Sequence, residues 1–363
     1  MNDSIKIRFF FYTIKKSRYI ALLITFFCFG VQADLNVNDD LILTEGFPDK
    51  LSAFRFFENT RSQLPAKNVI PYDLISSLFS DYTKKNRFVY VPDSLQAKYE
   101  TDSVYQFPIG SALIKTFYYI KNEQLETSEQ QLLETRLLLR KNDGWHAASY
   151  AWDEAQEEAR LKIAGATINT SWVDKNGKYR SVRYRVPNKN QCQECHEANK
   201  QIIPIGPKAR NLNKNKYYAD SEAELNQLYY WLDKKVIDFY PDSLDLVVDW
   251  QDSTKNLNTR ARSYLAINCG HCHSPQGNGA SSGLYLGFTE KRPIHIGVMK
   301  KPVAAGRGSG NKLYSINPGK PEESILLYRM QSMDPGIMMP ESGRSLAHDE
   351  GVNLIKEWIQ EMR

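Results

Sequence analysis

The chain has 363 residues, 42% of them hydrophobic, which excludes a disordered protein and leaves room for about two domains at roughly 150 residues each. The first 33 residues hold five basic side chains and one acidic one, so without them the formal net charge falls from +5 to +1. Nothing in that balance argues for nucleic-acid binding, which would want a concentrated basic face.

Residues 1–33 read as a secretory signal. Lys6, Arg8, Lys15, Lys16 and Arg18 supply a basic region, Tyr19 to Phe29 an apolar run, and Val31-Gln32-Ala33 a cleavage site before Asp34. The apolar run falls short of the about 20 residues of a membrane span. The expectation is a soluble, exported periplasmic protein with no stable membrane span after cleavage; an uncleaved anchor is the other reading. Of the five cysteines, Cys28 lies in this leader. A lipid on it is disfavoured by the large Phe26 and Phe27.

Residues 34–240 read as a β-rich domain. Leu74 to Phe79 follows Pro71 with apolar residues three and four apart, which predicts a helix. The basic run Lys84-Lys85-Asn86-Arg87 reads as a solvated turn before the strand Phe88 to Val91. From 104 to 187 the period is two. Ala112 to Tyr119 and Glu134 to Arg140 read as strands, and Asn142-Asp143-Gly144 turns the second into Trp145 to Trp152. Asn176-Gly177 predicts another hairpin between Ile168–Val173 and Tyr179–Val186. Ser221 and Glu224 have capping-box spacing ahead of a stripe of Leu225, Leu228, Tyr229, Leu232 and Val236. Trp231 and the tyrosines of that stripe read as core.

Residues 241–256, with Pro241 and four aspartates, read as a linker, and 257–363 as a mostly helical domain. A helix over Leu257 to Asn268 presents Ala261, Tyr264 and Leu265 on one face. Lys291 to Gly310 is basic with no acidic residue and reads as an exposed insertion. A last helix, about 346–361, turns Val352, Ile355, Trp358 and Ile359 inward, and Tyr264 is expected against Ile355 and Trp358. The fold class expected is α+β, an antiparallel β-rich domain with one haem c followed by a mostly α cytochrome c domain.

The remaining four cysteines lie in Cys192-Gln193-Glu194-Cys195-His196 and Cys269-Gly270-His271-Cys272-His273. Each is a CxxCH, in which two sulfurs add to the haem vinyl groups and the histidine ligates iron. A redox dithiol is disfavoured because no βαβ context surrounds either motif. A zinc ribbon is disfavoured because 73 residues separate Cys195 from Cys269. Two covalently bound haem c groups are therefore expected, on Cys192 and Cys195 and on Cys269 and Cys272, with His196 and His273 as proximal iron ligands. For the second haem the distal candidate is Met339, extended before Pro340, with Met338 its rival and core filling the alternative role. For the first, His146, His295, His348, Met299 or an open position remain.

The segment from Leu257 onward resembles a class I cytochrome c domain. The matching stretches are Asn268 to His273, Asn317-Pro318-Gly319-Lys320-Pro321-Glu322-Glu323-Ser324, Met339-Pro340 and a helix with Trp358. The resemblance implies Met339 as distal ligand. The whole is similar to an uncharacterised proteobacterial family of two-haem c-type cytochromes, through Val69-Ile70-Pro71-Tyr72, Leu78-Phe79-Ser80-Asp81, Phe107-Pro108-Ile109-Gly110, Glu134-Thr135-Arg136, Gly144-Trp145 and Val186-Pro187-Asn188. The N-terminal part is faintly similar to cytochrome P460, whose lysine crosslink has no assigned counterpart here. These likenesses imply electron transfer but name no partner, and the expectation is periplasmic electron transfer with an unidentified redox partner protein. The alternative is a haem-dependent oxidoreductase or ligand-binding protein for peroxide, nitric oxide or hydroxylamine at a five-coordinate first haem, with the second haem as relay. No catalytic residue is assigned.

Overall fold

The alternation of β-branched and aromatic residues with polar ones dictates the centre of the molecule. In the computed structural model, which describes residues 36–362, six strands form a meander. They are β1 (Val69–Pro71), β2 (Lys84–Tyr90), β3 (Ala112–Ile120), β4 (Gln130–Lys141), β5 (Gly144–Trp152) and β6 (Ala159–Leu161), each antiparallel to the next. The signal reading lies outside the described residues. Gly144 closes the β4–β5 turn at positive φ, as the Asn-Asp-Gly run predicts. The Asn176-Gly177 turn joins β7 (Ala166–Val173) to β8 (Tyr179–Val186) as a separate two-stranded sheet.

One face of the meander carries Phe88, Tyr90, Ile114, Leu137, Leu139 and Tyr150, closed over by Ile42, Phe54 and Phe56 from the N-terminal side. The other face holds two separate apolar clusters. Val89, Val91 and Leu113 pack with Tyr72, Leu228 and Trp231 at one end, and Phe117, Tyr119 and Ala151 pack with Trp172, Val182 and Tyr184 at the other. Burying each such large side chain contributes about 1.5–3 kcal/mol before ordering costs.

Three expectations are corrected here. Lys84 to Arg87 is not a solvated turn but the first half of β2, and Arg87 is buried. Leu74 to Phe79 is an irregular segment rather than a helix. Its backbone is held from outside, with Ser76 N–H donating to Asn211 Oδ1 at 2.9 Å and Phe79 N–H to Asn268 Oδ1 at 2.8 Å. The helix expected from Ser221 begins later. Ala223–Asn226 pairs as a strand with Asn215–Tyr218, and Asn226 caps helix α2 (Gln227–Asp233) by accepting from the N–H groups of Leu228 and Tyr229. That shift rotates the buried side to Gln227, Leu228, Tyr230 and Trp231, and leaves Tyr229 and Leu232 exposed.

Helix α1 (Lys189–His196) precedes these in the chain and leads from β8. Past 241–256, which has no helix or strand, come α3 (Leu257–Asn268), α4 (Ile325–Gln331) and α5 (Asp349–Glu361). Ala261, Tyr264, Leu265, Leu327, Val352, Ile355, Trp358 and Ile359 form their common core. Tyr264 shares this core with Ile355 and Trp358 and also approaches the α5 backbone at Gly351. A Cβ added to Gly351 would lie 2.3 Å from its hydroxyl, whereas the Trp358 indole N–H donates to Asn258 Oδ1 at 2.9 Å. Only a glycine lets the aromatic ring lie so close to the α5 backbone.

The chain is thus α+β, with mixed helices and antiparallel sheets. Among the described residues no helix is long and apolar enough to cross a membrane.

Candidate functional site

The first CxxCH is built on a helix start. Asn188 Oδ1 accepts from Gln191 N–H at 2.9 Å and Gln191 Oε1 accepts from Asn188 N–H at 3.0 Å, a reciprocal cap that begins α1 just before the motif. Residues three and four apart share a helix side, so Cys192, Cys195 and His196 face one way. That side lies against the meander rather than at its edge. Cys192 is buried with its Sγ 3.9 Å from Ser149 Oγ on β5.

The second CxxCH starts where α3 ends. Cys269 N–H still donates to Leu265 O, and His273 N–H donates to Cys269 O, both at 2.9 Å, so the motif continues the turn. The following loop wraps it closely. A Cβ on Gly277 would lie 2.3 Å from the Cys272 carbonyl oxygen, and one on Gly279 would lie 3.0 Å from His273 Nδ1.

The last histidine of each motif is oriented by a partner on Nδ1. His196 Nδ1 lies 2.7 Å from the Ile203 carbonyl oxygen, which accepts only, so the ring proton sits on Nδ1 and Nε2 presents its lone pair. His273 Nδ1 lies 3.1 Å from Ser282 Oγ. That hydroxyl donates to Gly279 O at 2.6 Å, so it accepts from His273 and fixes the same tautomer. Burial lowers both imidazoles to about 4, against the carbonyl bond in the case of His196. Both are neutral at neutral pH. Two free sulfurs and one imidazole with a committed Nδ1 are the donor set that covalent haem requires, and a second hydrogen bond of this kind is the usual support of an iron-ligating histidine. Among the described residues no group of three His, Cys, Asp or Glu side chains converges to hold a metal ion, an arrangement that a haem iron does not need.

The two motifs, 73 residues apart in sequence, are neighbours in space. Ala198 and Gly277 form an antiparallel bridge, Asn199 N–H donates to Gln276 O at 3.0 Å, and Asn278 Nδ2 donates to Glu194 O at 2.8 Å. Cys272 Sγ lies 3.7 Å from that same Glu194 oxygen. Cys195 Sγ lies 3.5 Å from Ser342 Oγ, and the neighbouring Cys195 and Cys272 thiols act on each other, which lowers Cys195 and, together with burial, raises Cys272.

Met339 is half-buried and Met338 buried. Their segment is pinned from both sides. Met339 N–H donates to Arg329 O at 3.0 Å, Arg329 Nε to Ile337 O at 2.7 Å, and Arg344 Nη2 to Met339 O at 2.9 Å. Arg329 also lowers His273 by its charge, and Arg344 acts likewise on Cys269, whose thiol burial pushes up to about 12. Arg344 is itself buried and also donates to the carbonyls of Ser332 and Leu346.

His146, His295, His348 and Met299 are engaged elsewhere or exposed, whereas His271, inside the second motif, has its buried Nδ1 without a hydrogen-bond partner and is close enough to act on Cys195 and His196. His146 Nε2 lies 2.8 Å from Asp143 Oδ1 in the β4–β5 turn, His295 Nδ1 3.3 Å from Glu290 Oε2, and Met299 is exposed. His348 stacks on Phe79 at 4.1 Å and shares a 3.0 Å hydrogen bond with the Tyr264 hydroxyl.

Sequence reading missed Ser282, Arg344 and Asp81. Asp81 Oδ1 accepts from Ser345 N–H at 2.7 Å and Leu346 N–H at 2.8 Å, so a loop after β1 clamps the approach to α5. Nothing local in the sequence pairs residues that far apart. No family model, curated protein or solved structure matches the chain.

Proposed function

We propose that this chain is an exported two-haem c-type cytochrome whose work is periplasmic electron transfer between its two haems and a redox partner protein. The observation that carries the reading is the adjacency of the motifs, joined through Ala198 with Gly277 and Glu194 with Asn278. Electron transfer falls steeply with distance, and these contacts hold the two attachment segments side by side. Haem supplies the one-electron iron chemistry when bound. Cys192 and Cys195 anchor one group and Cys269 and Cys272 the other, while Ile203 and Ser282 keep His196 and His273 in the tautomer that offers Nε2. Arg344 and Arg329 fix the Met339 segment, the proposed distal ligand of the second site.

A second reading, ligand chemistry at the first haem with the other as relay, is favoured by one observation. His146 and His295 are each paired with a carboxylate, and His348 stacks on Phe79 and is hydrogen-bonded to Tyr264, so none of these three stands free as a sixth ligand; the unpartnered buried Nδ1 of His271 is the group that would compete with this reading. Electron paramagnetic resonance of the oxidised, loaded protein tests both. Two low-spin signals broadened by mutual coupling and indifferent to cyanide support the carrier. A high-spin component that changes with cyanide or nitric oxide supports the second reading instead. Two uncoupled signals contradict the adjacency on which both depend.

A further inference from the structure

The face of the meander beneath α1 is not apolar. In the β2–β5 register, Arg87 lies opposite Lys115, Lys115 opposite Arg136, and Arg136 opposite Ser149, which touches Cys192. Directly paired residues project from one face, so three basic side chains stand in a row between two hydrophobic clusters, leading from the first attachment cysteine across the sheet, where burial and the neighbouring guanidinium charges hold Lys115 well below the ordinary lysine range unless an anion joins it. Lys85, two residues before Arg87 on the same strand, adds a fourth. Lys115 is close enough for its charge to act on His196.

Like charges directly opposite each other destabilise a sheet, and little in the chain offsets these. Arg136 pairs with Glu134 at 2.5 Å, but its Nε is buried without a partner. Arg87 donates to Ser77 Oγ at 3.0 Å and Lys85 to the Thr83 carbonyl at 2.9 Å, both neutral acceptors. Among the described residues Lys115 Nζ meets the Phe117 ring at 4.8 Å, and the charges of Glu134 and Cys195 act on it without an ion pair. Among the described residues none of Lys85, Arg87 and Lys115 reaches a carboxylate at ion-pair distance. Glu134 is already held by Arg136 and by the Tyr184 hydroxyl, and Asp81, whose charge acts on Lys85, by the Ser345 and Leu346 amides. Asp73, whose charge acts on Arg87, is paired with Lys216 at 2.9 Å.

We propose that Arg87, Lys115 and Arg136, backed by Lys85, form an anion site facing the first CxxCH segment, built for a small planar oxyanion of the carboxylate or nitrite kind. The guanidinium forks suit its two oxygens, and the low-dielectric sheet face strengthens each bond. Two sources carry that chemistry, the carboxylate side groups of a haem attached at Cys192 and Cys195 and a free anion in the periplasm. The proposal rests on the haem reading only for the first source.

The experiment uses the full exported chain, its haem content first read from the intact mass, with variants Lys115→Gln and Arg87→Gln and the conservative Lys115→Arg. Nitrite is titrated while the haem absorption is followed, and the potential of each haem is recorded against pH. A saturable nitrite response that weakens roughly tenfold in the Gln variants, and is kept by Lys115→Arg, supports the site with a free anion as occupant. With no nitrite response, a rise in the pH at which one haem's potential begins to vary, in the Gln variants alone, supports the haem carboxylates as occupant. A carboxylate that loses its cationic partner takes up its proton at higher pH. No nitrite response together with unchanged pH profiles overturns the site. If the mass shows no haem, the cytochrome reading fails on its own, and thermal unfolding decides the anion site. Stabilisation by nitrite in the wild type but not in Lys115→Gln supports it, and equal or absent stabilisation overturns it.

Discussion

His273 and Ser282 are joined by a hydrogen bond whose direction is settled by a third group. Ser282 Oγ gives its proton to the Gly279 carbonyl at 2.6 Å, so at 3.1 Å from His273 Nδ1 it can only accept. A histidine that donates in this way is a stronger iron ligand. Ser282→Ala should raise the potential of one haem and leave the other unchanged, at a stability cost of about 1 kcal/mol. Redox titration of the two haems checks this, and an unmoved pair of potentials would separate Ser282 from the iron.

The approach of α3 to α5 depends on the missing side chain at Gly351. A Cβ there would meet the Tyr264 ring at 2.3–2.7 Å, and that ring is held by Trp250 and by the His348 hydrogen bond. Gly351→Ala should therefore cost about 2–3 kcal/mol through forced separation of the helices, read as a lower urea midpoint with an unchanged slope.

Arg344 holds four carbonyls, those of Arg329, Ser332, Met339 and Leu346, from a buried position. Arg344→Gln should cost about 3 kcal/mol and should loosen the Met339 segment, so the methionine-ligated absorption signature of one haem weakens. Met339→Ala should abolish that signature in one haem only. Its survival in Met339→Ala would move the assignment to Met338.

His348 makes acid stability measurable. Burial, with a smaller contribution from the Lys85 charge, lowers it from 6.5 to about 3. Below the unfolded value the unfolded chain binds a proton that the folded chain refuses. The stability of the neutral ring is thus complete above about pH 6.5 and is lost as pH falls towards about 3, by up to about 1.4 kcal/mol per unit. His348→Phe keeps a ring against Phe79 and should flatten that limb. Urea midpoints from about pH 7 to about pH 4 compare the two proteins; parallel slopes would contradict the role given to His348.

What the sequence revealed and what it hid divide along local against distant causes. Asn176-Gly177 and Asn142-Asp143-Gly144 specify their hairpins because the turn chemistry is contained in the turn, and α3 announces itself by its own period. The CxxCH spacing is likewise contained within its own few residues. The Lys84–Arg87 run misled because burial of Arg87 follows from its pairing with Lys115, set by the β2–β3 register and not by neighbouring residues. The shifted start of α2 has a similar origin. Asn226 outcompetes Ser221 as a cap because Ala223–Asn226 is already paired as a strand with Asn215–Tyr218. Adjacency of the two motifs depends on Glu194 meeting Asn278, which no local pattern encodes.

The most direct test of the account is the intact mass of the chain exported by a bacterium able to mature c-type cytochromes. The account predicts a polypeptide carrying two covalently attached haems, with one lost in a Cys192→Ala, Cys195→Ala variant and the other in Cys269→Ala, Cys272→Ala. A bare polypeptide mass from the same host would contradict it.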